Sequence, residues 1–165
     1  MLRISSYLTK PRLIAASAIV AAAALDITIK RLVLAHDWDD RVLIPGLAET
    51  HYARNHGVSF NLFWQSGAAG SAVLALLLAG IILIFAAMAF RTSKPIVAGG
   101  LGLIVGGALG NMVDRLSHGA VFDFLVLRLG AWPLFVCNPA DIFISLGVLL
   151  LALDTILTGD DPKPA

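Results

Sequence analysis

The chain has 165 residues, 58% of them hydrophobic and 14% charged, with a mean hydropathy of +0.86. A water-soluble domain of this composition would leave large apolar patches in solvent, so the chain reads as an integral membrane protein. Its formal net charge of +1, with no dense basic run, excludes a surface that tracks a phosphate backbone, and with it nucleic acid as a partner.

Crossing a hydrocarbon core takes about 20 apolar helical residues. Four stretches qualify, roughly 13–35, 69–90, 96–116 and 139–157. No repeat or low-complexity linker divides them, so residues 1–165 read as a single integral-membrane domain. The expected fold is an all-α membrane protein: four transmembrane helices, a small extracytoplasmic β-rich cradle and a short interfacial segment.

The first stretch follows Arg3, Lys10 and Arg12 and continues through Asp26 and Lys30 to Ala35, too far for the short apolar region of a cleaved leader. Asp26 and Lys30 stand one turn apart, acid before base, and can neutralise each other. A structural ion pair is the simpler reading; the other places Lys30 near a substrate's polar groups.

The outer segment 36–68 holds VLIPGLAE and VSFNLF, β-branched and aromatic runs punctuated by Pro45, Gly46 and Gly57, and predicts short strands on the membrane surface. Asn55, next to a turn-forming Gly57, offers both donor and acceptor to a substrate backbone, or serves only to close the turn.

Arg91 and Lys94, with no acid, separate the second and third spans. In the third, Gly102, Gly106 and Gly110 recur every four residues beside Gly99, Gly100 and Gly107, which lets a neighbouring helix or a substrate approach closely. Asn111, Asp114 and Arg115 follow at the membrane edge, with Asn111 and Arg115 on one face.

The outer segment 117–138 contains AVFDFLVLRLGAWPLF, too short and interrupted to span, and is expected to lie in the interface. Within it Asp123 is flanked by Val121, Phe122, Phe124 and Leu125, surroundings that disfavour a charge and raise a carboxyl pKa. The fourth span opens with Asn138 as N-cap, Pro139 at the first helical position and Asp141 at the third, where the positive end of the helix dipole favours negative charge.

Basic residues before span one and between spans two and three put both termini on the cytoplasmic side. The outer segments then carry all three tryptophans, Trp38, Trp64 and Trp132, and place Asp123 and Asp141 at the outer face. Two carboxylates sharing a proton at a membrane boundary can split the work of amide hydrolysis, one activating water and the other protonating the scissile carbonyl.

Rival chemistries lack their residues. There is no HExxH, and His36, His51, His56 and His118 have no ligand spacing. Ser59 has no GxSxG setting, and Cys137, the one cysteine, has no assigned base and no partner for a disulfide. The GxGD signature of presenilin-like proteases is absent too. A small ion or proton transporter is the alternative from another class, and it predicts acids spread across the bilayer as a relay; a noncatalytic lipid-binding scaffold would tolerate loss of either aspartate.

These residues form a pattern. Through DITIK at 26–30, NHGVSF at 55–60, GGALGNMVDR at 106–115, VFDF at 121–124 and NPAD at 138–141, the chain resembles the lipoprotein signal peptidases, the bacterial signal peptidase II family. The resemblance implies an aspartyl endopeptidase of the inner membrane, without cofactor or metal, that removes signal peptides from diacylglyceryl prolipoproteins just before the lipidated cysteine. It maps the catalytic dyad onto Asp123 and Asp141, and supporting or binding residues onto Asp26, Lys30, Asn55, Gly107, Asn111, Arg115 and Asn138, with Asp114 as scaffold. It also implies membrane lipid as surroundings and globomycin, a cyclic peptide antibiotic, as an inhibitor lying between the aspartates. Cys137 and Pro139 depart from the family's usual aromatic before and aliphatic after the asparagine, and Thr28 stands two positions before Lys30 instead of one.

Overall fold

A computed structural model describes residues 9–56 and 67–158. The expected VSFNLF strand, Gly57, Ser59, Trp64 and Arg3 lie outside the described residues. Helices α1 (Lys10–Ala35), α2 (Gly67–Arg91), α3 (Pro95–His118) and α4 (Pro139–Leu157) alternate with strands β1 (Val42–Ile44), β2 (Ala48–Asn55), β3 (Val121–Leu129) and β4 (Trp132–Cys137). By length and apolar composition, α1, α3 and α4 can each cross a membrane; in α2 the described apolar stretch is the shorter Leu76–Arg91. Large apolar side chains such as Leu83 and Ile156 remain exposed on the bundle's outside, as a lipid-facing surface requires.

α3 is the central helix and packs against the other three. Its glycines serve two faces. A Cβ on Gly102 or Gly106 would come within 2.8 Å of Ala15 O or 2.6 Å of Ile19 O in α1, whereas one on Gly107 would lie 2.5 Å from Ala140 O in α4. Where lipid is as apolar as the helix, close backbone approach of this kind is what drives association. α1 answers with one buried stripe: Ala15, Ala22, Asp26, Lys30 and Val33.

At one end of the bundle Arg12 Nε donates to Phe90 O, and Lys94 Nζ reaches Asp154 at 2.8 Å, so Arg12, Arg91 and Lys94 gather there. The sheet caps the other end, where α1 and α3 finish and α4 begins.

The four strands are antiparallel in the order β1-β2-β3-β4. AVFDFLVLRLGAWPLF, expected as a short interfacial segment, takes the form of a β-hairpin that completes the sheet. Gly130, at φ +60°, makes the reversal between β3 and β4, and Pro133 is tolerated because β4 is an edge strand. Gly119, at φ +72°, ends α3 with its N–H on Arg115 O, turning the chain so that β3 starts two residues later.

Candidate active site

β3 and α4 carry the two aspartates. β3 carries Asp123 and pairs with β2, with Asp123 opposite Ala53 and Val121 opposite Asn55. Asn55 is thus the diagonal neighbour of Asp123 on one sheet face, and its Nδ2 donates to Asp123 Oδ2 at 3.1 Å. β3 also pairs with β4, and with Leu125 opposite Cys137 the chain leaves the sheet at Asn138, beside Asp123.

Asn138 is completely buried, and its hydrogen bonds converge on the site. Its Nδ2 donates to Asp123 Oδ1 at 2.5 Å and to Asn111 Oδ1 at 3.1 Å. Its Oδ1 accepts from the Asp141 backbone N–H at 3.1 Å, and its own backbone N–H donates to Asp141 Oδ2 at 3.3 Å, a reciprocal capping box. Asn111 Nδ2 completes the ring by donating to Asp141 Oδ1 at 2.9 Å. Asp123 and Asp141 are therefore joined through Asn138 and Asn111.

The start of α4 is capped from a distance as well. Asp26, in α1, accepts the Ala140 N–H at 2.9 Å on Oδ1, supplying the negative charge that the helix N-terminus favours. Its Oδ2 takes Lys30 Nζ at 2.9 Å, and Lys30 also reaches Asp114 Oδ2 at 2.8 Å and Asn111 Oδ1 at 3.2 Å. An ammonium has three hydrogens, and all three are used. Lys30 therefore sits inside the protein's own network, as the structural ion-pair reading expects. Asp114 passes the connection on by accepting the Phe122 N–H at 3.2 Å, one residue before Asp123.

Gly107 contributes no functional group; its missing side chain seats Ala140 and hence Asp141 against α3. Arg115 donates to Asn111 O at 3.3 Å and lies within electrostatic reach of Asp123, Asp141 and Asp114.

Asp123 is 4% exposed, and burial pushes its carboxyl above the usual range. The Asn138 and Asn55 bonds oppose this by stabilising the anion, and the Asp141 charge adds to the rise. Asp141 is partly exposed. The pair thus consists of one buried acid biased toward its protonated form and one more open carboxylate held by donors, an arrangement suited to acid and base roles on one substrate.

The structure brings together Asp26, Lys30, Asn55, Asn111, Arg115, Asp123, Asn138 and Asp141. The contacts from Asp26 to the α4 backbone and from Asp114 to β3 have no local sequence signal.

A family model described as signal peptidase (SPase) II matches residues 18–157. A protein named lipoprotein signal peptidase from Beijerinckia indica is 40% identical over 114 residues, covering 69% of this chain and 68% of that protein. Another of that name, from Mesorhizobium japonicum, is 36% identical over 141 residues, covering 84% of this chain and 83% of its own length. In fold, a solved bacterial membrane enzyme superposes with a TM-score of 0.70 at 21% identity, over 92% of this chain and 93% of that one.

Proposed function

The chain belongs to the signal peptidase II family, and from that premise we propose that it is an intramembrane aspartyl endopeptidase that cleaves the signal peptide from diacylglyceryl prolipoproteins immediately before the lipidated cysteine. The observation that carries the aspartyl chemistry is the single buried Asn138 bonded to both Asp123 and Asp141.

In this reading Asp141, on the open side of the pair, takes a proton from a water as the water oxygen bonds to the scissile carbonyl carbon. Asp123, kept toward its protonated form by burial, gives its proton to the carbonyl oxygen. Collapse of the resulting diol breaks the C–N bond, with a proton passing to the departing nitrogen. Asn138, Asn111 and Asn55 hold the carboxylates in bridging geometry. Asp26, Lys30, Gly107 and Arg115 fix the helices that carry them.

We further assign α2 as a fourth span, since its 25 residues are long enough to cross. The bundle end holding Arg12, Arg91 and Lys94 then faces the cytoplasm of the inner membrane, with both termini on that side, and the sheet and dyad face outward. Globomycin-type peptides would occupy the space between the aspartates. The transporter reading loses support: among the described residues the helical acids Asp26, Asp114 and Asp141 share one end, and Asp154 at the other is bound by Lys94.

Purified full-length chain in detergent, given a diacylglyceryl prolipoprotein, should release a signal peptide whose mass ends at the residue before the cysteine, with or without chelator. Asp123→Asn and Asp141→Asn should each abolish release while the thermal transition persists. Cleavage retained by either variant would refute the dyad.

A further inference from the structure

A cavity of about 350 Å³ lies between the C-terminal ends of α1 and α3, the last residues of β2 and the first of β3. It is separate from the dyad, for neither Asp123 nor Asp141 lines it. Arg54 and Phe122 stand opposite each other in the β2–β3 register, and Phe122 and Asp123, as successive strand residues, point to opposite faces of the sheet.

The walls have two characters. Ile27, Leu34, Val113 and Phe122 are apolar, and Leu34 and Val113 are exposed on the lipid-facing side of the bundle. Arg31 and Arg54 are cationic and exposed, and among the described residues neither has an acid within ion-pair reach. Among the described residues the one acid in the wall is Asp114, which is paired with Lys30 at 2.8 Å, a lysine it shares with Asp26. The cavity thus presents two guanidinium groups without an ion-pair partner beside an apolar wall that faces the lipid side. Its volume is within the range of small-ligand pockets, about 300–1,000 Å³.

We propose that this cavity binds one anionic glycerophospholipid, of the phosphatidylglycerol class, from the outer leaflet, with its phosphate between Arg31 and Arg54 and its acyl chains along Leu34 and Val113. Guanidinium groups suit phosphate because their planar forks can donate in pairs, and a zwitterionic lipid cancels the charge that they recognise. A bound lipid would rest directly on Lys30 and Asp114, the residues that tie α1 and α3 to Asn111 and to the start of β3.

The test reads binding alone and does not depend on peptidase activity. Native mass spectrometry of the full chain, released from detergent containing equal phosphatidylglycerol and phosphatidylcholine with the same acyl chains, should show one retained phosphatidylglycerol with about a tenfold preference. The double variant Arg31→Gln with Arg54→Gln should bring that preference near unity, and Arg31→Lys with Arg54→Lys should keep most of it, which separates loss of charge from loss of fold. Equal retention of the two lipids by the unaltered chain, or an unchanged preference in the double Gln variant, would overturn the proposal. So would displacement of the lipid by glycerol 3-phosphate alone, which would mark a site for soluble phosphate.

Discussion

Asn138 holds Asp123 with its side-chain amide and Asp141 with its backbone N–H, so the spacing of the two carboxylates is set by one buried residue. The same side chain caps α4 through Asp141 N. Stability and geometry are therefore coupled at this position. Asn138→Ala should cost about 1 kcal/mol through the lost cap, with a further loss from the unpaired partners, and should lower kcat/KM at least about 100-fold by freeing Asp123. Calorimetry beside a cleavage assay checks both. A lowered transition with full activity would show that Asn138 caps the helix and does nothing for the pair.

The raised Asp123 carboxyl fixes the sign of a pH effect. Burial is the main cause, so its folded pKa lies above its unfolded value. Between the two values the folded state keeps a proton that the unfolded chain has released, so stability falls as pH climbs through that window, and the loss is complete above the folded value. Asp123→Asn removes this titration. The thermal midpoint of the variant relative to wild type should therefore rise as pH climbs from about 4, near the unfolded carboxyl value, through the folded value. A flat difference, or one of opposite slope, contradicts the assignment. If Asp123 is the proton donor, cleavage by the unaltered chain should decline as pH rises through the same folded value.

The two glycine faces of α3 invite a paired substitution. Gly107→Ala places a Cβ 2.5 Å from Ala140 O and 2.9 Å from Ile144 Cγ1, contacts that only movement of α4 can relieve. Overpacking of this kind costs about 1–3 kcal/mol, and here it displaces Asp141. Gly80→Ala in α2 meets nothing within 4 Å and removes a helix-weakening glycine, a gain of up to about 1 kcal/mol. Thermal midpoints should move in opposite directions, and only the first variant should lose cleavage. Equal behaviour would mean that α3 and α4 do not require this close approach.

Much of this site was legible along the chain because its pieces are local. Asn138, Pro139 and Asp141 spell a helix start within four residues, and the apolar neighbours of Asp123 announce its burial. The Lys30 network was legible only in its Asp26 half, because an i,i+4 pair lies on one helix whereas Asp114 and Asn111 come from another. The bond from Asp26 to the Ala140 N–H joins positions 114 apart, and no period in the sequence records it. The β3–β4 hairpin escaped for a different reason. Its run is apolar on both faces around VFDFLVL, so the alternation that marks a half-buried strand is missing, and only Gly130 signals the reversal.

Lys30 bridges Asp26 and Asp114 in a nearly water-free setting. Lys30→Met preserves much of the side-chain volume but leaves two buried carboxylates without a cation. Breaking a buried pair in this way costs about 3–5 kcal/mol, so the variant should be recovered in low yield with a sharply lowered transition. Adding Asp26→Asn should restore part of the loss, since one stranded charge is removed. If Lys30→Met were as stable as wild type, the network would carry no folding energy.

Cys137 offers a readout of the dyad's charge that needs no substrate. It precedes Asn138, and burial together with the charges of Asp141 and Asp123 pushes its thiol up to about 11. Only the thiolate reacts with alkylating reagents, and an ordinary free thiol has a pKa of about 8.5, so at pH 8 Cys137 should react roughly 200-fold more slowly than a free cysteine. Of the two carboxylates Asp141 has the larger influence, so Asp141→Asn should accelerate alkylation more than Asp123→Asn, and both variants should react faster than wild type. Mass spectrometry of timed iodoacetamide reactions measures this directly. Identical rates in all three proteins would mean that neither carboxylate is charged and near enough to act on the thiol, and the negative charge assigned to the open member of the pair would have to be withdrawn.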